Sequence, residues 1–340
     1  MQKFSHIILI SGLIISGIYC KSSESANQPS IPVAEPEQNT PPKPLTTEEK
    51  IASIADQYQV KIGVAAKNLN TKKTITVNSR ERIPVTSMLK VSVLISYYEA
   101  VNSGLVKPNT SVKLTKSNKV GGSGFLQFLS NENSILLSDA AQLAVIASDN
   151  TATNLVIEAF GSTIDDQVGF VNKTMSKYGL IDTKLLNKFL RPDLKSDSDD
   201  AKNFGVGFST ASDLSGLMEK LYDGAVVSSD VSFDILETMR KSNDDTMSPR
   251  FMPLDDPTFS LAHRSGGTTR YKGDFGLLIY KNQPARHAYH HERRIHSFRL
   301  GRCHRGPSSS PSAPHSARGH LLRHISFGGF SSSGGRAALE

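Results

Sequence analysis

Strand patterns stand at both ends of a long helical stretch, and this order limits the folds open to the chain more than any other feature. Near the start, Val60–Ala66 and Thr74–Val77 alternate apolar and polar residues on either side of the polar turn Asn70-Thr71-Lys72-Lys73, which predicts a hairpin. Near residue 260, Phe259–His263 and Phe275–Tyr280 predict two more strands, separated by the polar, glycine-containing segment Arg264–Asp274. Between the two ends the apolar spacing is helical. Val85–Ala100 is too long an apolar run for a strand and predicts a buried helix, with further helices at Leu137–Ala147, Thr151–Ala159 and residues 209–223. The last is capped by Ser209 or Ser212 and closed by Gly224. Without strand–helix alternation, a doubly wound parallel sheet is excluded. The expected class is α/β in the α+β sense: an antiparallel sheet built from N- and C-terminal strands beside a mainly helical subdomain. A leading helix is expected from Thr46, whose spacing to Glu49 is that of a capping box.

Three short groups carry chemistry. Ser87-Met88-Leu89-Lys90 puts a serine and a lysine three apart at the start of the buried helix, a spacing that brings both to one helical face. A desolvated lysine loses part of its preference for charge and can accept a serine proton. Ser148-Asp149-Asn150 lies between two predicted helices. Its serine can pass a proton to a leaving group, and the Asn150 amide can hold a substrate carbonyl or orient Lys90. His263-Arg264-Ser265-Gly266-Gly267 ends a predicted strand, and its cation, hydroxyl and open backbone suit an anionic substrate group and an oxyanion. Singly, each group has an ordinary structural explanation, such as a helix cap or a solvated pair.

Their joint occurrence, in the order S-x-x-K, S-D-N, [KR]-[ST]-G, resembles the class A β-lactamase-related serine hydrolases of the β-lactamase and penicillin-binding protein superfamily. The resemblance runs from about Thr46 to Tyr280 and includes Gly121-Gly122-Ser123-Gly124-Phe125-Leu126 and Ser148-Asp149-Asn150-Thr151-Ala152-Thr153-Asn154-Leu155. It implies Ser87 as nucleophile, Lys90 as its activating partner and Ser148 as the proton relay to the leaving nitrogen. It also implies that Asn150 binds a substrate amide and that Arg264 and Ser265 hold a substrate carboxylate. The N–H groups of Ser87 and Gly267, beside Gly266, would form the oxyanion hole. The implied substrate is a small molecule, a β-lactam or related amide, attacked by a monomer without metal or cofactor.

Two departures from the family pattern matter. Arg264 stands where lysine is usual, and the glutamate that activates the deacylating water is missing. Around its expected position the chain reads Ile181-Asp182-Thr183-Lys184-Leu185-Leu186-Asn187, and no glutamate occurs between Glu158 and Glu219. Asp182, Asp193 and the Asp197–Asp200 cluster are the acids left to substitute. Three functions therefore stay open: a β-lactam-hydrolysing serine enzyme, a related peptidase or esterase that β-lactams acylate and leave blocked, and a non-catalytic envelope lipoprotein.

Charge divides the chain. The formal net charge of +7 belongs wholly to residues 286–340, which hold nine Arg, two acids and eight of the ten His, while residues 1–285 balance 30 basic against 30 acidic groups. The body is neutral, so no nucleic-acid partner is expected. The tail reads as basic, low-complexity and out-of-frame or non-native; a basic arm, or metal capture by His290 and His291, are its functional alternatives. If the domain stops near residue 285, Phe275–Tyr280 is an uncovered edge. At the other end, Lys3 and the apolar run Ile7–Ile18 predict a secretory leader (residues 1–20), with Cys20 positioned as a lipidated residue that would make the membrane a partner through an anchor alone. Residues 21–45, with six of the sixteen prolines, predict an extended linker before the domain at 46–285. The expected location is the cell envelope, after export. The two cysteines, Cys20 and Cys303, leave the body without a disulfide or thiol nucleophile.

Overall fold

The computed structural model describes residues 6–17, 43–253 and 255–280. A first strand, β1 (His6–Gly17), is followed by α1 (Thr47–Gln57). That helix starts at the expected capping box: Thr46 Oγ1 accepts from Glu49 N at 3.1 Å, and the Glu49 carboxylate accepts from Thr46 N at 2.7 Å. The hairpin follows as β2 (Val60–Asn68) and β3 (Thr74–Val77), its turn held by Asn68 Oδ1, which accepts from the amides of Asn70 and Thr71.

The helical middle is built on α2 (Leu89–Asn102), in which Val91, Val93, Leu94, Ile95 and Ala100 are fully buried. Apolar residues occupy every side of this helix, so it can be stable only when surrounded. It is enclosed by α3 (Leu137–Ile146), α4 (Asn150–Glu158), α5 (Ile164–Lys177) and, beyond α6 (Ala211–Tyr222), by α7 (Ser229–Arg240). α5 and α7 are two helices beyond those predicted. Residue Thr210, rather than Ser209 or Ser212, caps α6 by accepting from Asp213 N at 3.0 Å. Buried Glu99 ties α2 to the end of α5 by accepting from Lys177 Nζ at 2.7 Å and from the Tyr178 hydroxyl.

The chain ends its described course in β4 (Phe259–Gly267) and β5 (Tyr271–Tyr280). These strands are longer than predicted, and the expected connector Arg264–Asp274 shrinks to a turn between Gly267 and Tyr271. Ser265 pairs with Asp274 and Gly267 with Lys272 across the ladder. Three of the polar residues that suggested a loop, Arg264, Ser265 and Asp274, are buried strand residues with partners of their own.

All neighbours in the five-stranded sheet are antiparallel, in the order β3-β2-β1-β5-β4, so strands from the two ends of the chain form one sheet as expected. α6 lies over β1, β2 and β5, and α7 over β4. The uncovered edge expected at Phe275–Tyr280 is not found: β5 is an inner strand that pairs with β4 on one side and with β1 on the other, where Leu9 stands opposite Leu277. The segment read as a leader thus supplies the sheet's central strand in the full-length chain. The tail beyond residue 280, with His290, His291 and Cys303, lies outside the described residues, as does Cys20. Among the described residues no helix is long and apolar enough to cross a membrane.

A chain that begins at Cys20 is therefore expected to lose two ladders at the middle of the sheet. Amide exchange along β2 and β5, measured by mass spectrometry, should be faster than in the full-length chain, and aggregation on concentration should increase. Equal protection in the two forms would contradict the pairing.

Candidate active site

Ser87 lies in a tight turn just ahead of α2, where Leu89 N donates to Thr86 O at 3.0 Å and Lys90 N to Ser87 O at 3.2 Å. The serine is only partly buried, whereas Lys90, one residue into the helix, is fully buried. Lys90 Nζ has three acceptors for its three protons: Ser148 O at 2.5 Å, Ser148 Oγ at 3.1 Å and Asn150 Oδ1 at 2.7 Å. Burial, reinforced by the Arg264 charge and only partly opposed by Asp149, holds the Lys90 pKa well below that of an ordinary lysine. The Phe189 ring covers it, 4.8 Å from Nζ.

The link to Ser87 runs through a third residue. Ser148 Oγ donates to Ser87 Oγ at 2.9 Å, while the hydrogen bonds of Lys90 Nζ all go to Ser148 and Asn150. The expected face-to-face pairing of Ser87 with Lys90 is replaced by a line Ser87–Ser148–Lys90. The reason is local: Ser87 precedes the first helical residue, so the three-residue spacing does not act within one regular helix. Asn150, expected to bind a substrate amide, is engaged at both ends of its own amide, by Lys90 Nζ and by Gly121 O, to which Nδ2 donates at 3.0 Å. It orients Lys90.

Ser148 is held in an unusual backbone conformation, φ +54, between α3 and α4. The adjacent Asp149 makes this possible. Its buried carboxylate caps α4 by accepting from Ala152 N at 2.8 Å, and accepts also from Phe125 N at 2.6 Å and Leu126 N at 2.8 Å. Gly124 crosses over this carboxylate at φ +102, and a Cβ there would fall 2.2 Å from Asp149 Cγ. The loop 121–126 and the S-D-N turn are thus one assembly, further joined by Ser123 Oγ, which donates to Ser148 O at 2.6 Å.

β4 closes the other side. A Cβ on Gly266 would lie 2.9 Å from Ser87 N, so only glycine lets the strand pass this close to the Ser87 turn. Gly266 and Gly267 line an open cleft of about 180 Å³ together with Asp244, Met247, Ser265 and Lys272. Arg264 is almost completely buried, with Nη1 donating to Val145 O at 2.8 Å and to Ser242 Oγ at 3.3 Å, and with Nε unpartnered. Burial lowers its pKa to about 10, so it stays a cation at neutral pH. Ser265 donates its hydroxyl to Asp244, a residue the sequence reading does not single out. Beneath them His263 Nδ1 stands 3.0 Å from the Asp274 carboxylate, which also accepts from Ser248 N.

The acids considered as substitutes for the missing glutamate are engaged elsewhere or exposed. Asp182 accepts from Arg82 Nε at 2.9 Å and Nη2 at 2.6 Å; Asp193 accepts from Arg191, which lowers its pKa; Asp199 and Asp200 open a short exposed helix. Among the described residues, no carboxylate hydrogen-bonds to Ser87, Lys90 or Ser148. What the loop 187–195 sets over Lys90 instead is an apolar ring. Phe189 is pinned by Asn154, which donates to its carbonyl at 2.8 Å and accepts from its N–H at 2.9 Å, and Leu190 lies against Gly122.

The profile of the family described as Beta-lactamase enzyme family matches residues 46–288. Curated relatives include beta-lactamases PSE-4 and CARB-3 of Pseudomonas aeruginosa, each 27% identical over 114 residues, or 34% of this chain; the match spans 39% of those proteins' length. Among solved structures, PBP-A is similar with a TM-score of 0.56 at 21% identity, covering 71% of this chain and 90% of that one. The chromosome-encoded beta-lactamase of Vibrio parahaemolyticus is similar with a TM-score of 0.56 at 20% identity, covering 74% and 99%. A variant of PBP-A has been solved as an acyl-enzyme complex with penicillin G, with a TM-score of 0.55 at 20% identity, covering 70% of this chain and 89% of that one.

Because one buried carboxylate holds the cap of α4 and two loop amides, Asp149→Ala is expected to cost about 2–4 kcal/mol. Urea unfolding should show a lower midpoint. A midpoint equal to that of the parent would mean that the carboxylate does not hold the loop.

Proposed function

From a chain that belongs to the beta-lactamase enzyme family and has the fold of class A beta-lactamases, we propose a serine hydrolase that opens the β-lactam amide on Ser87 and releases the acyl group slowly. The observation that carries this reading is the unbroken line from Ser87 through Ser148 to a fully buried Lys90.

With Lys90 neutral, its lone pair accepts the Ser148 proton and Ser148 Oγ in turn accepts that of Ser87. Ser87 Oγ then attacks the lactam carbonyl, and the tetrahedral oxyanion forms beside the Ser87 N–H, with the Gly267 N–H as the second expected donor. As the C–N bond breaks, the proton returns from Lys90 through Ser148 to the leaving nitrogen. The product of this half-reaction is the acyl-Ser87 ester. Its hydrolysis needs a second general base, and the Phe189 roof, with no carboxylate among the described residues bonded to the three, supports slow release. Arg264 keeps its charge at neutral pH and so can favour an anion nearby.

The first twenty residues support export, with Cys20 as the lipidated residue and the cell envelope as the site of action, for a protein acting as a monomer. Loss of membrane association in Cys20→Ser, read by fractionation, checks the anchor. Cleavage there would also remove β1 from the sheet.

A chromogenic β-lactam should give a burst equal to the enzyme concentration, then a slow steady state, with a stable adduct in the intact mass. Ser87→Ala should abolish both. Steady turnover without a burst would favour efficient hydrolysis, and no adduct with folded protein would sink the reading. The burst rate should rise with pH through the depressed Lys90 pKa, because only the neutral amine accepts the proton, and should level off well below pH 10.5.

A further inference from the structure

The side chains that suit a substrate anion are already occupied by an anion of the protein's own. Ser265, whose hydroxyl would meet a substrate carboxylate, donates it to Asp244, and both residues line the cleft beside Gly266 and the Ser87 turn. The Asp244 carboxylate is held from its other side by Thr246, whose N–H and hydroxyl donate to Oδ1 at 3.0 and 2.6 Å. Burial alone would raise the Asp244 pKa. The bonds from Ser265 and Thr246, together with the Arg264 charge, outweigh burial and hold it below the ordinary carboxylate range. At neutral pH the cleft therefore holds Asp244 as an anion, with Arg264 behind it and Lys272 on its wall.

A substrate carboxylate entering beside Ser265 would have to displace Asp244 or lie against it. Two like charges at contact distance in a partly desolvated cleft repel strongly, and such juxtaposition is a common way to reject one ligand in favour of another. A neutral group meets no such barrier.

We propose that Asp244 is a specificity-determining residue that fills the anion position at Ser265 and directs the site toward acyl donors lacking a carboxylate next to the scissile amide nitrogen. This rests on acylation at Ser87 as proposed above, and it names the class of compound that the site prefers.

The test compares one penicillin-type β-lactam as its free carboxylate, its methyl ester and its aminoethyl amide, using the second-order rate of acylation followed by intact mass. In the parent chain the ester should react faster than the carboxylate. In Asp244→Asn, which keeps the shape, the ratio of carboxylate to ester rates should rise about tenfold or more. Asp244→Ser serves as a second neutral variant. Because both compounds meet the same variant, a purely structural role would slow them together and leave the ratio unmoved. A ratio changed by less than twofold in both variants, or a parent chain that prefers the carboxylate, would overturn the proposal while leaving acylation intact. If none of the three compounds acylates folded parent protein, the function itself fails and this inference falls with it.

Discussion

Burying Lys90 completely at the start of α2 is the constraint on which the rest of the site depends. An ammonium group there is costly unless every proton has an acceptor. Three acceptors are supplied, and all come from the turn Ser148-Asp149-Asn150. That turn must therefore approach α2 closely, which requires the positive φ of Ser148, the cap on α4 and the loop that Asp149 gathers over itself. Burial that raises the energy of the cation also makes the neutral amine accessible. The stability cost of Lys90 and its proposed role as proton acceptor have one origin.

The sheet contributes the opposite wall. β4 reaches the Ser87 turn because Gly266 has no side chain, and it carries Arg264 and Ser265 into the space between the sheet and the helices. Polar residues are tolerated inside this strand because partners from several elements meet them: Val145 O at the end of α3, Ser242 and Asp244 just after α7, and the Asp274 and His263 pair across the hairpin. A site at the junction of two layers has buried polar atoms from both, and its specificity depends on which of them face each other.

This explains what the sequence made legible and what it did not. Thr46 with Glu49, the hairpin at 60–77 and the buried run of α2 are local patterns; the first two appear as expected, while the helix begins at Leu89, four residues after the expected Val85. The order of strands around a helical middle that determined the class also appears as expected. The strands β4 and β5 were read short because Arg264, Ser265 and Asp274 look like loop residues until their partners, distant in sequence, are known. For the same reason the link between Ser87 and Lys90 looked direct: a spacing of three describes a helix, and Ser87 stands just outside one. Asp244 had no local signal at all, since its meaning comes from Ser265, distant in sequence and near in space. The role of β1 was hidden differently, because an apolar run followed by a cysteine carries a leader pattern whether or not it pairs in a sheet.

On the proposed mechanism, fast acylation and slow release follow from the same roof. Phe189 shields Lys90 from water and so helps keep its amine neutral enough to take a proton. Asn154 fixes the ring there by two backbone hydrogen bonds, leaving Leu190 against Gly122. A carboxylate introduced at this roof to activate water would lie near Lys90, favour its charged form and weaken the first half-reaction unless the ammonium and carboxylate were separated by further hydrogen bonds. An acid at this roof therefore needs compensating polar partners, and the loop 187–195 instead directs Asp193 outward to Arg191 and sets the Phe189 ring over Lys90. Efficiency in the second step would require rebuilding the loop around the new charge, not the exchange of one residue.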